Sequence, residues 1–360
     1  MESIDSNSGP GVFRRFVLPL LFIVALFVAL FTRQPEPVTD ADLHVWQIEG
    51  SIFGTTYRVK VLPSKAPKIS RDTLASTIQN ELDRIDLLMS TYKEESELSL
   101  FNQNQSTHAI KVSEGLCVVL KEALRIGSLT KGAFDITVGP VVNLWGFGPN
   151  KNLTEPTEEA LKAARSKVGI KKVHLNPQKC TLTKKLPDLY LDLSAIAKGY
   201  AVDSVGLLVE QNGFPNYLAE VGGELRARGL NLKGSSWKVG VEKPQSALNQ
   251  DIALVVPLVD QSMATSGNYR NFYKRADGRK VSHSIDGRTG EPVEHPFSSV
   301  TVLHPDCMTA DALATGLFAL GVDEGLALAN KQNLAVLFLI PEGDTFKASA
   351  SQSFPDFKQR

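Results

Sequence analysis

Leu74, Ile78, Leu82, Ile85 and Met89 recur every three or four residues, the spacing that gathers side chains on one face of an α-helix. Upstream, Ile48, Ile52, Tyr57, Val59 and Val61 lie in an extended, partly alternating run over residues 46–61, which predicts a β-hairpin turning near Gly54. Further helices are predicted over residues 114–129, 157–168, 195–211 and 309–320, the last ended by Gly321, a residue that tolerates the left-handed backbone of a helix terminus. Short strands are predicted at 189–193, 217–221, 237–241, 252–256 and 299–303. Strands and helices interleave irregularly, with hairpin-like pairs in the second half. The pattern therefore predicts a mixed α+β domain rather than a strictly alternating parallel sheet.

The N-terminus breaks this pattern. Arg14 and Arg15 precede an apolar run over residues 16–31 that closes at Thr32 and Arg33, close to the lower limit of roughly 17 to 25 residues needed to span a bilayer. A signal peptide and an uncleaved anchor compete for it; bulky Phe and Leu over 25–32, where a cleavage site needs small residues, favour the anchor. The preceding arginines keep that flank in the cytoplasm and send the globular part outward. Residues 1–33 are thus read as tail and anchor, 34–44 as a linker marked by Pro35 and Pro37, and 45–350 as the domain.

The chain has 360 residues, 42% of them hydrophobic, enough for a large core. Its 39 basic and 39 acidic residues balance, so any anionic ligand must be held by a local site and not by an overall field. Cys117, Cys180 and Cys307 are widely spaced and show no CxxC or Cys/His pattern, so they are read as buried thiols. There is no GxGxxG, GxxxxGK[ST], HExxH or GxSxG, which removes the common dinucleotide and hydrolase signatures.

Several segments nevertheless concentrate chemistry. In Leu191-Asp-Leu-Ser-Ala-Ile-Ala-Lys198, a strand is expected to end near Asp192 and Ser194 to cap the next helix, whose free N–H groups and Lys198 suit a phosphate; a plain cap and a solvated lysine are the alternative. In the helix from Met308 to Gly321, Asp311 and Thr315 point the same way among small apolar residues. A carboxylate there needs a partner such as Mg²⁺, unless Asp311 simply caps the helix. The segments Met263–Tyr273 and Val281–Gly290, joined by an Asp277-Gly278 turn, crowd hydroxyls, an Arg, an Asp and His283, a possible base or a structural histidine. Tyr92, and the aromatic residues of Gly132-Ala-Phe-Asp135 and Leu144-Trp-Gly-Phe147, offer rings for a flat heterocycle or for core packing.

In order along the chain, these segments resemble the FAD:protein FMN transferase (ApbE) family. The matching elements are Gly54-Thr-Thr-Tyr57, Ser90-Thr-Tyr92 with Ser96-Glu-Leu-Ser99, Gly132-Ala-Phe-Asp135, Asp192-Leu-Ser-Ala-Ile-Ala-Lys-Gly-Tyr200, Val221-Gly-Gly-Glu224, Ala264-Thr-Ser-Gly-Asn-Tyr269, Ser282-His-Ser-Ile-Asp286 and Ala310-Asp-Ala-Leu-Ala-Thr315. The resemblance implies a two-lobed α+β domain with FAD between the lobes and Mg²⁺ at its pyrophosphate. It implies metal ligation by Ala195 through its carbonyl, Asp311 and Thr315, with Ala314 adjacent, and FAD contacts from Phe53, Tyr92, Ala133, Phe134, Asp135, Asp192, Lys198 and Ser298. Phe53 stands where members often carry Met, Gly287 where Pro is common, and Ala314 where some members have an acidic ligand, which leaves the number of Mg²⁺ ions open.

The implied activity is cleavage of FAD and transfer of FMN to a Ser or Thr of an acceptor protein, releasing AMP, with His283 or a nearby carboxylate as base and Asp311 serving the metal. The implied acceptors are flavoprotein subunits of membrane redox complexes, in keeping with a bacterial inner-membrane anchor and a periplasmic domain. Attack by water, giving an FAD pyrophosphatase, and a non-catalytic flavin carrier are the rival readings.

Overall fold

The computed structural model describes residues 44–149, 155–243, 252–267, 272–274, 280–294, 299–343 and 345–357. The apolar run at 16–31, nearly all of the linker, Ser298, residues 268–270 and the Asp277-Gly278 turn lie outside the described residues. No helix among the described residues is long and apolar enough to cross a membrane.

The predicted hairpin forms from β1 (Trp46–Ile52) and β2 (Thr55–Val61), with Phe53 at φ 52° and Gly54 at φ 72° as its two turn residues. A two-residue hairpin turn of this hand requires both to be left-handed, a conformation that glycine adopts freely and phenylalanine rarely. From this edge the main sheet continues through β6 (Tyr217–Val221), β7 (Glu224–Arg228), β10 (Gln261–Gly267), β15 (Ser299–His304), β16 (Ala335–Glu342) and β17 (Thr345–Ala350). Every neighbouring pair in it is antiparallel. A three-stranded sheet runs in the order β3 (Ile110–Lys111), β5 (Thr181–Lys184), β4 (Val173–Asn176). Separate hairpins pair β8 (Trp237–Glu242) with β9 (Ile252–Leu258), β11 (Phe272–Lys274) with β12 (Lys280–Ser282), and β13 (Ile285–Asp286) with β14 (Glu291–Pro292).

The helices are α1 (Arg71–Met89), α2 (Glu97–Gln103), α3 (Glu114–Leu129), α4 (Gly139–Leu144), α5 (Glu158–Arg165), α6 (Ala197–Gln211), α7 (Cys307–Leu320) and α8 (Val322–Lys331). The buried residues of α1 are the five that repeat in the sequence. α5 is shorter than predicted; Thr157 caps it by accepting the Ala160 N–H at 3.2 Å. Strand alternation sorts the sheet into two faces. Tyr217, Ala219, Val221, Ala264, Val302 and Phe338 join the helices in the large core, while Leu225, Ala227, Met263, Leu303, Leu337 and Leu339 pack with Trp237, Leu254 and Val256 of the β8–β9 hairpin. Glu224 and Arg226, which alternate with Leu225 and Ala227, are thereby turned toward the helices.

Three expectations are corrected. Residues 189–193 join no strand ladder, although Leu189, Leu191 and Leu193 alternate into the core as a strand would. A side chain takes the place of a neighbouring strand: Asn102 Nδ2 donates to the Leu191 carbonyl at 2.9 Å and Asn102 Oδ1 accepts the Leu191 N–H at 2.8 Å. Ser194 does not cap α6; it is exposed, its own N–H donates to Asp192 Oδ1 at 2.8 Å, and the helix begins at Ala197 with no side-chain cap. Finally, Cys117 and Cys180 are not thiols but a disulfide that ties α3 to the start of β5, with Cα atoms 5.5 Å apart. Only folding brings them together, since 63 positions separate them in sequence. Cys307 is the buried free thiol expected.

Candidate active site

The centre of the site is the contact between α6 and α7. A Cβ at Gly199 would lie 2.8 Å from Asp311 Cβ and nearer still to the Cys307 carbonyl oxygen, so a glycine is what lets the two backbones touch. Across that contact the Gly199 N–H donates to Asp311 Oδ2 at 2.9 Å. Asp311 is therefore not a helix cap: it sits in the second turn of α7 and is 3% exposed. Asp203 of α6 does the capping, accepting the Cys307 and Met308 N–H groups at 3.0 and 2.9 Å while Arg226 donates to it at 2.7 Å. A helix N-terminus favours such a carboxylate, and burial nevertheless pushes the Asp203 carboxyl up.

Lys198, one residue before the crossing, is half-buried and ion-paired, not a free surface lysine. Its stem passes the Gly222-Gly223 turn, where a Cβ on Gly222 would come within 3.1 Å of Lys198 Cδ and 2.9 Å of Thr55 Cγ2. Its Nζ lies 2.6 Å from Glu224 Oε2, in a close ion pair outside hydrogen-bond alignment, and 3.8 Å from Asp311 Oδ1. Two buried carboxylates thus share one ammonium. Burial pushes the Glu224 carboxyl up to about 7 against the pull of Lys198, with Asp311 adding to the rise. Burial raises Asp311 as well, again against Lys198. For Lys198 burial works the other way, yet Asp311 and Glu224 together hold its pKa above the usual lysine value.

One turn along from Asp311, the Thr315 hydroxyl lies 3.2 Å from Ser266 Oγ of β10. Ala314 beside it is buried in the apolar core, and Ala195 is half-buried in the turn just before α6. Among the described residues no three His, Cys, Asp or Glu side chains converge as a metal-binding group. A cation here would have to draw on a carboxylate, a hydroxyl and backbone carbonyls. The donor set fits a hard divalent ion: oxygens alone, and a buried pair of carboxylates with only one positive charge to balance it.

A second cluster is aromatic. Tyr92 keeps 62% of its surface exposed while its hydroxyl donates to the Phe147 carbonyl at 3.3 Å, which holds the ring as a shelf. The Phe147 ring meets the His283 imidazole edge-on with centroids 6.3 Å apart, so three separate sequence segments converge here. His283 follows β12 between the buried Ser282 and Ser284. Phe53 lines a cleft of about 520 Å³ at the β1–β2 turn together with Thr55, Asp83 and Asp86.

Ala133 and Phe134 have their side chains in the core and their N–H groups donate to the Thr130 carbonyl and hydroxyl, each at 3.1 Å, which leaves their carbonyls as what they could offer a ligand. Asp135 is committed locally: Oδ1 accepts the Thr137 N–H and hydroxyl at 2.8 and 2.6 Å, and Oδ2 accepts the Ile170 N–H at 2.7 Å. Gly287, the departure noted in the sequence, donates its N–H to the Ala133 carbonyl at 3.1 Å, and a Cβ there would sit 2.5 Å from Asp135 Cβ. Asp192 is half-buried, with its N–H bonded to the Ile136 carbonyl at 2.8 Å. Sequence reasoning gave no role to Glu224, Asn102 or Asp203. No local signal marked Glu224, because a charge alternating with Leu225 and Ala227 reads as the solvent side of a half-buried strand.

The chain as a whole is similar to known proteins of one family. A model of the ApbE family matches residues 53–338. The chain is 44% identical over 336 residues to a Haemophilus influenzae protein named FAD:protein FMN transferase, covering 92% of this chain and 96% of that one. It is 41% identical over 345 residues to an Escherichia coli K12 protein of the same name, covering 95% and 97%. Among solved structures, the flavin transferase ApbE from Vibrio cholerae aligns with a TM-score of 0.80 at 42% identity, covering 87% of this chain and 98% of that one. The apo form of the Pseudomonas stutzeri flavinyl transferase ApbE aligns at 0.78 with 32% identity, covering 86% and 96%.

Proposed function

Because this chain belongs to the ApbE family, we propose that it is an Mg²⁺-dependent FAD:protein FMN transferase whose substrate lies in a cleft between two lobes. The observation that carries the reading is the oxygen-lined contact of α6 and α7, where Lys198, Glu224, Asp311 and Thr315 converge. Asp311, Thr315 and the Ala195 carbonyl would hold the metal. When bound, Mg²⁺ would neutralise charge on the phosphates and ease the departure of AMP.

The chain's own residues do the rest. Lys198, at the start of α6, sets a positive charge where the pyrophosphate of FAD would lie, and the positive end of that helix's dipole adds to it. Tyr92 offers its exposed face to a flat ring of the substrate. A Ser or Thr oxygen of the acceptor attacks the FMN phosphorus, His283 takes the hydroxyl proton, and the bond to the AMP oxygen breaks. The product is an FMN phosphoester on the acceptor.

The acceptor is proposed to be a flavoprotein subunit of a membrane redox complex, met outside the cytoplasm by a domain anchored through residues 16–31. The Cys117–Cys180 disulfide supports that placement, since such bonds persist in oxidising compartments. The test mixes the protein with FAD, Mg²⁺ and an acceptor domain and looks for a mass gain of one FMN and for flavin fluorescence that follows the acceptor on a denaturing gel. AMP without labelled acceptor would instead make it a pyrophosphatase, and intact FAD after prolonged incubation a carrier. Asp311→Ala should abolish Mg²⁺-dependent transfer; full activity in that variant would remove the metal assignment.

A further inference from the structure

Glu224 is a buried carboxylate that the proposed reaction does not use. It is 3% exposed and its Oε2 makes no aligned hydrogen bond, although the Lys198 ammonium is 2.6 Å away. Asp311 has one oxygen, Oδ2, already bonded to Gly199, so Oδ1 is the one left for a cation. That oxygen is also where Lys198 would go if released, since it stands only 3.8 Å off.

We propose that Glu224 is a positioning residue that draws the Lys198 ammonium to the β7 side of the site and so keeps Asp311 Oδ1 free for the divalent cation. The inference rests on the metal reading above and adds a residue to it. Glu224 is attached to the turn that frames the Lys198 stem, because Gly222 packs on that stem and Gly223 directly precedes Glu224. Without the Glu224 charge, the nearest carboxylate for Lys198 is Asp311. An ammonium in contact with Oδ1 competes with a metal ion for the same lone pairs.

The experiment measures Mn²⁺ binding to the full chain in detergent, without FAD, by titration calorimetry and by the loss of the free-ion EPR signal. Glu224→Gln should weaken Mn²⁺ binding by about 10- to 100-fold, the scale on which partners behind metal ligands act. Lys198→Met should bind at least as tightly as the wild type. The double variant Lys198→Met/Glu224→Gln should regain wild-type affinity, because the competitor is gone. Equal weakness of the double variant and Glu224→Gln would make Glu224 a ligand and overturn the positioning role. Wild-type affinity in Glu224→Gln would overturn it too, while leaving the metal reading intact. No Mn²⁺ binding by the wild type would remove both. Near-ultraviolet circular dichroism of each variant reports whether the fold survives, and the neutral pair in the double variant provides a well-matched interior if Glu224→Gln alone unfolds.

Discussion

Gly199→Ala separates the fold from the chemistry. The added methyl would face Asp311 Cβ at 2.8 Å and the Cys307 carbonyl at less, whereas carbon atoms rest at about 3.5–4.0 Å, so α7 must retreat from α6 by about 1 Å. Such overpacking costs about 1–3 kcal/mol, but alanine favours a helix interior over glycine by about 1 kcal/mol. The net loss is therefore at most about 2 kcal/mol, seen as a fall in Tm of a few degrees. Catalysis should suffer far more: Asp311 moves with α7, and a displacement of about 1 Å in a positioned group can lower the rate about 100-fold. The assay pairs thermal melting with the rate at which FMN fluorescence enters the acceptor. Gly115→Ala is the control, since the nearest neighbours of a methyl there are the side-chain ends of Leu88 and Tyr200. A transfer rate for Gly199→Ala within a few-fold of wild type would refute the claim that this crossing sets the geometry of Asp311.

Asn102→Ala should leave the buried Leu191 N–H and carbonyl without partners, at about 1–3 kcal/mol each, and lower both the urea midpoint and transfer, because the released segment leads into Asp192 and α6. An unchanged midpoint would refute it. Replacing Cys117 and Cys180 together by Ser should cost about 2–4 kcal/mol in urea unfolding, and dithiothreitol should then have no further effect on the variant. Burial holds the Lys184 ammonium below its ordinary 10.5, with Asp188 pulling the other way, so the unfolded chain binds that proton more tightly. Stability should rise as pH climbs from the folded value toward 10.5, and the wild type should gain on Lys184→Met over that window in paired melts; a constant difference would contradict the burial effect.

What the sequence made legible was whatever repeats locally or clusters in a run. The face of α1, the hairpin at Phe53 and Gly54, and the placing of Asp311 and Thr315 one turn apart all follow from spacing alone. The misses share another cause. Residues 189–193 carry the alternation of a strand, but their hydrogen-bonding partner is a side chain 89 positions away. Ser194 is a good cap residue standing two places too early for a helix that starts at Ala197, and the real cap of α7 comes from Asp203, 104 positions upstream of Cys307. The role of Glu224 depends on which face of β7 meets α6, which is settled by packing against Leu225 and Ala227 and not by residue type. Site groups fixed within one element were visible; those created between elements were not.

The cap supplied by Asp203 has a dynamic corollary. The amides of Cys307 and Met308 end on α6, and the amide of Gly199 ends on α7, so neither helix can fray at this end without uncovering the other. Deuterium should enter these three positions at a common rate, and an ion gripping Asp311 should slow all of them at once, including Met308, which it never touches.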